Sequence, residues 1–456
     1  MALHTPSTWK QLATPAFLAG VAAVVIGASP LVAGAFVLVA AIALFAVRPM
    51  FGWCLVVLSY PFIYLQLFVG RTVNIPYVDA FALLVTIAII VRFLVRFVQN
   101  GERPSIGALP GIVPFLCFLG AAALSLTNTE DILLGVKFLV RPVSFFYLMF
   151  IVLPLVIIDR PHRLFTTLRV MFVVGLLAAA MGVWSLVFPP TPGVFRRAVP
   201  IIIYGMTPLG TNHNLIAEVL VSVVPIGVLL AVFARGMVQR WYVVGTVLLA
   251  LVTLLTFSRN GWLTLTVEGV VLLVAFARAR GMYWKRIAGY AVPVLAAAML
   301  AIGLFSLTTV AQSSNTNRIQ LTRIALAQFA EHPIVGGGVG TFQEVVSRDR
   351  WYIADFGEPQ EAHGLVQKLL AETGILGLVT FIWLLVALLA YVLRAYRAAT
   401  VAPQWRLILL ALLASAGGSI VFQLFNTSYF VSKLWLPIGI AVVAARLAQQ
   451  RSALRA

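Results

Sequence analysis

Apolar residues run along this chain in long continuous blocks rather than in alternation. By length and interruption the blocks fall near 13–29, 31–47, 51–69, 78–97, 109–126, 133–157, 164–188, 211–234, 242–257, 261–278, 286–306, 373–394, 406–424 and 429–447. A helix rises about 1.5 Å per residue, so blocks near 20 residues match the roughly 30 Å hydrocarbon layer of a bilayer. Some blocks are short or joined by tiny links, so the fourteen candidates predict about 12–14 transmembrane helices. A membrane β-barrel would alternate apolar and polar positions, and it is excluded. The expected fold class is an all-α polytopic membrane protein with one large helical loop.

That loop is the only long interruption. Residues 307–372 are not apolar overall, and a smaller interruption, "PPTPGVFRRAVPIIIYGMTPLG", spans 189–210. The expected division is therefore a membrane bundle over 1–306, a large loop over 307–372, and C-terminal spans with a short tail over 373–456. Within the loop, "SSNTNRIQLTRIALAQFAEHP" reads as a helix closed by His332-Pro333, with Ile319, Ile324, Leu326 and Phe329 forming a partly apolar face. Four glycines at 336–340 require a turn or a close-approach loop. The stretch "EPQEAHGLVQKLLAETGILG", 358–377, then places a histidine, acids and a lysine at the start of the next span. His363 and Gln367, four apart, are predicted to share a helical face.

Composition agrees with the pattern: 62% of residues are hydrophobic, 10% are charged, and mean hydropathy is +1.02. A net charge of +18 would suggest nucleic acid in a soluble protein, but here its distribution follows topology. With a cytoplasmic N-terminus, the inner helix ends and loops carry Arg92, Arg96, Arg103, Arg160, Arg163, Arg235, Arg240, Arg278, Arg280, Lys285, Arg286, Arg394, Arg397 and Arg406, opposed by Glu102 and Asp159. This is the positive-inside pattern; both termini are expected in the cytoplasm and the large loop on the outer face. Cys54 and Cys117 fall inside candidate spans, so no disulfide framework is implied. The first apolar segment follows a single Lys10 and is expected to be a retained span.

The candidate chemistry lies among the outward polar groups. His363 reads either as a satisfied polar contact or as a base, since a neutral imidazole can take a proton from an attacking hydroxyl. Glu361 is close enough in sequence to influence it. Ser258-Arg259-Asn260-Gly261 forms a hairpin between two apolar runs and holds Arg259 at the membrane surface. Arg318 and Arg323 flank the start of the loop helix, and Arg196 and Arg197 lie in the smaller loop. Lys137 and Arg141, four apart inside a span, mark either a functional site or snorkelling side chains. A planar guanidinium matches phosphate oxygens, so converging arginines suggest a diphosphate, against the alternative that each pairs with a lipid head group or a carboxylate. Asn212 and His213, opening a span, serve either helix capping or contacts to a sugar. Glu218 and Glu268 lie within spans, as partners for arginine or as parts of a proton path. No metal-ligand spacing, Walker loop or nucleophile elbow occurs, and no cofactor is expected.

Three segments together resemble the O-antigen ligase and O-antigen polymerase superfamily: "SRNGW" (258–262), "NRIQLTRIALAQFAEHPIVGGGVGTF" (317–342) and "AHGLVQKLLAETGILGLV" (362–379). The last two bracket the large loop, as they do in that family; a departure is Gly364 after the histidine, where asparagine is the more usual residue. The resemblance implies a GT-C-like integral-membrane glycosyltransferase on the periplasmic face of a Gram-negative inner membrane. Its donor would be a glycan on undecaprenyl diphosphate. Its acceptor would be a lipid A–core sugar in a ligase, another lipid-linked unit in a polymerase, or a protein hydroxyl in a related branch. Carried onto this chain, it implies His363 as base, with Arg259 and Arg318 on the diphosphate. Lys137, Arg141 and Arg323 are further candidates for that diphosphate; Arg196, Arg197, Asn212, His213 and Gln367 are candidates for sugar or acceptor. A single long loop favours the ligase over the polymerase. A lipid-linked glycan flippase would string charges through the membrane interior and usually carry an internal repeat, whereas polar groups here concentrate on one face.

Overall fold

The computed structural model describes residue 20 and residues 30–69, 73–101, 107–189, 195–398, 400–426 and 431–453. The candidate span at 13–29, both chain ends and Glu102 and Arg103 lie outside the described residues. The described chain is helical almost throughout, an all-α polytopic membrane protein. The first helices are α1 (Pro30–Val47), α2 (Pro49–Ser59), α3 (Tyr77–Asn100), α4 (Ile112–Ser125), α5 (Ile132–Ile157) and α6 (Pro161–Val187). A central group follows: α7 (His213–Phe233), α8 (Gly236–Leu255), α9 (Arg259–Ala279) and α10 (Trp284–Ser306). The large loop contributes α11 (Thr309–Glu331), α12 (Phe342–Arg348) and α13 (Arg350–Phe356) before α14 (Leu365–Arg397), α15 (Pro403–Leu424) and α16 (Ser432–Ala453).

Among the described residues, nine helices are long and apolar enough to cross a membrane, or ten with the bent α1–α2 pair. This is fewer than the fourteen apolar runs, for local reasons. The runs at 31–47 and 51–69 form one pair bent by 111° at Arg48-Pro49, where proline cannot continue the preceding ladder. The second of them stops at Ser59, and its tail becomes strand β1 (Gln66–Val69), which pairs antiparallel with β2 (Val73–Pro76). The run at 109–126 gives only the 14-residue α4. The run at 429–447 gives α16, whose residues 432–445 are buried in the bundle.

The most buried candidate span is α7, which packs against α6, α8, α9, α15 and α16. Burying it forces its polar groups to find partners. Glu218 pairs with Lys433 of α16 at 2.6 Å and also accepts from Gln423 of α15. Glu218 thus takes a lysine rather than an arginine. Glu268 on α9 is buried, and neither of its oxygens has a hydrogen-bond partner; its carboxyl lies against Gly418 of α15.

Ends of several helices meet at one end of the bundle. Ser258, before α9, donates to Asn214 in the first turn of α7 (2.7 Å). Asn260 donates to the carbonyl of Phe425, just past α15 (2.8 Å). Arg259 donates to Ser306 at the end of α10 (3.1 Å). The loop sits on this end and has its own small core of Leu321, Ala325, Phe342, Val346, Tyr352, Ala362 and Ala371. Its long helix ends at Glu331, immediately before His332-Pro333. The buried face of α11 is Leu321, Ile324 and Ala325, whereas Ile319 and Leu326, expected on that face, are exposed.

The glycines place the loop against the membrane helix. α14 is interrupted at Gly374, which takes φ 62°, ψ −163° and so opens a gap in the helix. Across it, Gly337 and Gly338 donate to the carbonyls of Ala371 and Glu372 at 2.9 and 3.0 Å, and Ile375 and Leu376 donate to Pro333 and Ile334 at 3.0 and 3.2 Å. A Cβ at Gly336 would strike the backbone of Glu372, and one at Gly374 would strike the carbonyl of Ile334. Backbone meets backbone at this crossing, and no larger residue fits.

Candidate active site

Three arginines at this end are partly buried without an acid. No ion pair among the described residues involves Arg197, Arg259 or Arg318. Arg259 is the first residue of α9, set there because Ser258 caps the helix through Gly261 N–H (3.2 Å). Its guanidinium donates to Asn315 of α11 at 2.6 Å and to Ser306, both neutral. Arg318 follows Asn315 by three residues, hence one turn along α11 on the same side. Its Nε is buried and has no partner. Burial and then the charge of Arg259 lower the Arg318 pKa to about 10, which leaves it a cation at neutral pH. Arg197 is half-buried beside the His213 ring (Nη1 to Nε2 3.5 Å), and burial lowers its pKa as well. His213 lies in the combined field of Arg197, Arg318 and Arg259.

Of these charges, His363 faces that of Arg318. It stands one residue before Gly364, the N-cap of α14, and so precedes the helix rather than sharing a helical face with Gln367. Ala362, buried in the loop core, anchors it from one side. From the other, Tyr352 donates to Asn317 (2.9 Å) and Asn317 donates to Gln360 (2.9 Å), which ties the segment carrying His363 to the helix carrying Arg318. Burial first, and the Arg318 charge second, lower the His363 pKa to about 4. The imidazole is neutral at pH 7, and its buried Nδ1 has no partner. Gln367 folds back over Gly364, where any Cβ would collide with its amide, and its Oε1 is also buried without a partner.

Glu361 does not act on His363. Its carboxylate pairs with Lys368, which is wholly buried and lies 3.5 Å from Glu372. Glu372 in turn accepts from the Phe342 backbone N–H (3.3 Å). Glu361 and Glu372 are therefore neutralised by one lysine, and Arg197, Arg259 and Arg318 make no ion pair with an acid among the described residues.

The other candidates are paired, exposed or engaged in capping. Arg141 is bound to Asp79 of α3 at 2.6 Å, within a π-helical stretch Leu139–Phe145 of α5. Lys137, Arg323 and Arg196 are exposed. Asn212 caps α7 by accepting from Asn214 N–H at 2.9 Å. Sequence reasoning missed Asn315, Asn317 and Gln360. The Asn315 and Arg318 spacing of one turn was the available signal, but Asn315 near a helix start reads first as a cap.

The starts of α7, α9 and α14 thus carry His213, Arg259 and the His363–Gly364 step, and helix N-termini present partial positive charge to an anion. Fold and cluster together give a polytopic membrane protein with acid-free, partly buried arginines gathered at one end of its bundle. Residues 244–382, about a third of the chain, match the family described as Wzy_C, O-antigen ligase, a match that supports an O-antigen ligase-superfamily assignment. The match runs from α8 into α14 and contains the whole large loop. That family implies a glycosyltransferase-like membrane enzyme and lipid-linked glycan substrates. No curated protein matches the chain.

Proposed function

We propose that the protein is an O-antigen ligase that transfers a glycan from undecaprenyl diphosphate to a sugar hydroxyl of lipid A–core, at the periplasmic face of a Gram-negative inner membrane. The observation that carries this reading is the set of acid-free arginines, Arg259, Arg318 and Arg197, beside a neutral histidine with a free buried nitrogen. Partly buried cations without counter-charges are costly, and a diphosphate supplies the missing charge.

In the proposed step the acceptor hydroxyl oxygen attacks the anomeric carbon and gives its proton to His363. The bond from that carbon to the diphosphate oxygen breaks, the configuration inverts, and the leaving diphosphate keeps its electron pair. Arg259 and Arg318 stabilise the charge that develops on it, as preorganised donors do elsewhere for leaving anions. A pKa near 4 makes His363 a weak base in the empty site. The donor anion offsets the Arg318 charge, the smaller of the two causes, and so raises that pKa part of the way.

Purified protein mixed with undecaprenyl-diphosphate glycan and lipid A–core, with and without chelator, tests this reading against His363→Ala. A glycan ladder on the core, lost in the variant, is the expected result. Elongation of the lipid-linked glycan alone would instead assign a polymerase. Donor binding without transfer to either acceptor would overturn the enzyme reading in favour of transport.

A further inference from the structure

At the opposite end of the bundle lies a second basic feature that the transfer reaction does not use. A cavity of about 360 Å³, within the ~300–1,000 Å³ typical of small-ligand sites, opens between the ends of α3 and α16 and the start of α6. Arg92, Arg96, Arg163 and Arg446 line it, against one acid, Asp159. Asp159 is divided between Arg163 (3.1 Å) and Arg160 (3.9 Å). Arg163 also donates to the carbonyl of Ile157 at 2.8 Å, and Arg92 reaches the Ala46 carbonyl only at 3.5 Å. Arg96 and Arg446 make no ion pair among the described residues. The floor is the opposite in character: Ile89, Leu155, Ile157 and Leu447, all buried.

We infer that this cavity binds the phosphate head group of an anionic phospholipid. A ring of guanidinium groups suits a phosphate that both free phosphate and a lipid can offer. Two observations favour the lipid. The floor is apolar, which suits the glycerol and the first methylenes of acyl chains rather than a hydrated ion. The outer face of α3 beside the cavity exposes Ile90, Leu94 and Phe97, an apolar track along which acyl chains continue into the bilayer. Arginine pockets between helix ends are a form that anionic head-group sites take.

The test is native mass spectrometry of the full-length protein in detergent, titrated with phosphatidylglycerol, phosphatidylcholine or inorganic phosphate. Wild type is compared with Arg92→Gln, Arg446→Gln and, as a control at the same end outside the cavity, Arg240→Gln. Phosphatidylglycerol is expected to be retained over phosphatidylcholine, with binding about fivefold weaker for each cavity arginine replaced and unchanged in R240Q. Monodisperse elution and an unaltered lipid-free melting temperature would verify that the variants fold. Equal retention of both lipids, or R92Q and R446Q binding like wild type, would overturn the proposal. Saturation by inorganic phosphate that phosphatidylglycerol fails to displace would overturn the lipid assignment and leave a free-phosphate site.

Discussion

Two clusters of charged and polar side chains share the head of α14, one of them with Arg318 of α11, and are built on opposite terms. Around Lys368, everything is paired: the buried ammonium holds Glu361 and Glu372, and Glu372 accepts from the loop backbone at Phe342. Around Arg318, the contacts stop short: Arg318 Nε, His363 Nδ1 and Gln367 Oε1 are buried and unmatched. The first cluster is a finished structure that closes the loop onto the membrane helix. The second leaves buried polar atoms unmatched, the feature on which the proposed binding of a diphosphate rests. Buried polar groups are nearly always satisfied, so the unmatched atoms of Arg318, His363 and Gln367 stand out against the paired Lys368 cluster, as the unpartnered Glu268 carboxyl does within the bundle.

Substitutions at the two clusters should fail in different ways. The largest effect is expected for His363→Ala, with transfer down by about 10²–10⁴-fold, the usual contribution of a general base, and the melting temperature nearly unchanged. A melting temperature that collapsed with activity would place His363 with the Lys368 cluster instead. Next comes Lys368→Ala, which strands Glu372 in the interior and is expected to cost about 3–5 kcal/mol, read as a large loss of thermal stability. Retained stability there would remove the distinction between the clusters. Third is Arg318→Lys, which keeps the charge but loses the planar fork. Donor affinity should fall about tenfold, measured by competition with a diphosphate-bearing lipid, while folding persists.

A fourth, smaller effect depends on pH. The His363 pKa is about 4 in the fold against about 6.5 unfolded, so the unfolded chain binds the extra proton first. The stability associated with a neutral His363 is fully present above pH 6.5 and is lost as pH falls from 6.5 towards 4. Wild type should therefore lose melting temperature relative to His363→Gln across that window and not above it; parallel curves would contradict the buried placement. The smallest effect belongs to Arg196→Ala. Its side chain is exposed beside the half-buried Arg197, so transfer and stability should stay within about 0.5 kcal/mol of wild type.

The helical class and most spans were legible because one physical requirement, covering about 30 Å of hydrocarbon, writes itself into consecutive residues. That rule overcounted where local chemistry intervened, at Arg48-Pro49 and in the 14-residue α4. His363, Arg259 and Arg318 were readable as rare polar residues at apolar boundaries. Lys137, Arg141, Arg323 and Arg196 have the same sequence signature. Asp79, which binds Arg141, lies 62 residues away, and no local pattern reports such a pair. Glu361 shows the same limit at short range: two residues from His363 in the chain, it turns to Lys368.

Sequence alone thus determined that this chain is a membrane protein built of helices, and which residue types were available for chemistry. Each of these follows from properties a residue carries by itself, its transfer free energy and its backbone freedom. The tertiary structure decided which arginines keep their charge unanswered, that one lysine silences the acids beside His363, and that a broken helix at Gly374 seats the loop. These are pairings between distant segments, and they exist only once the chain has packed.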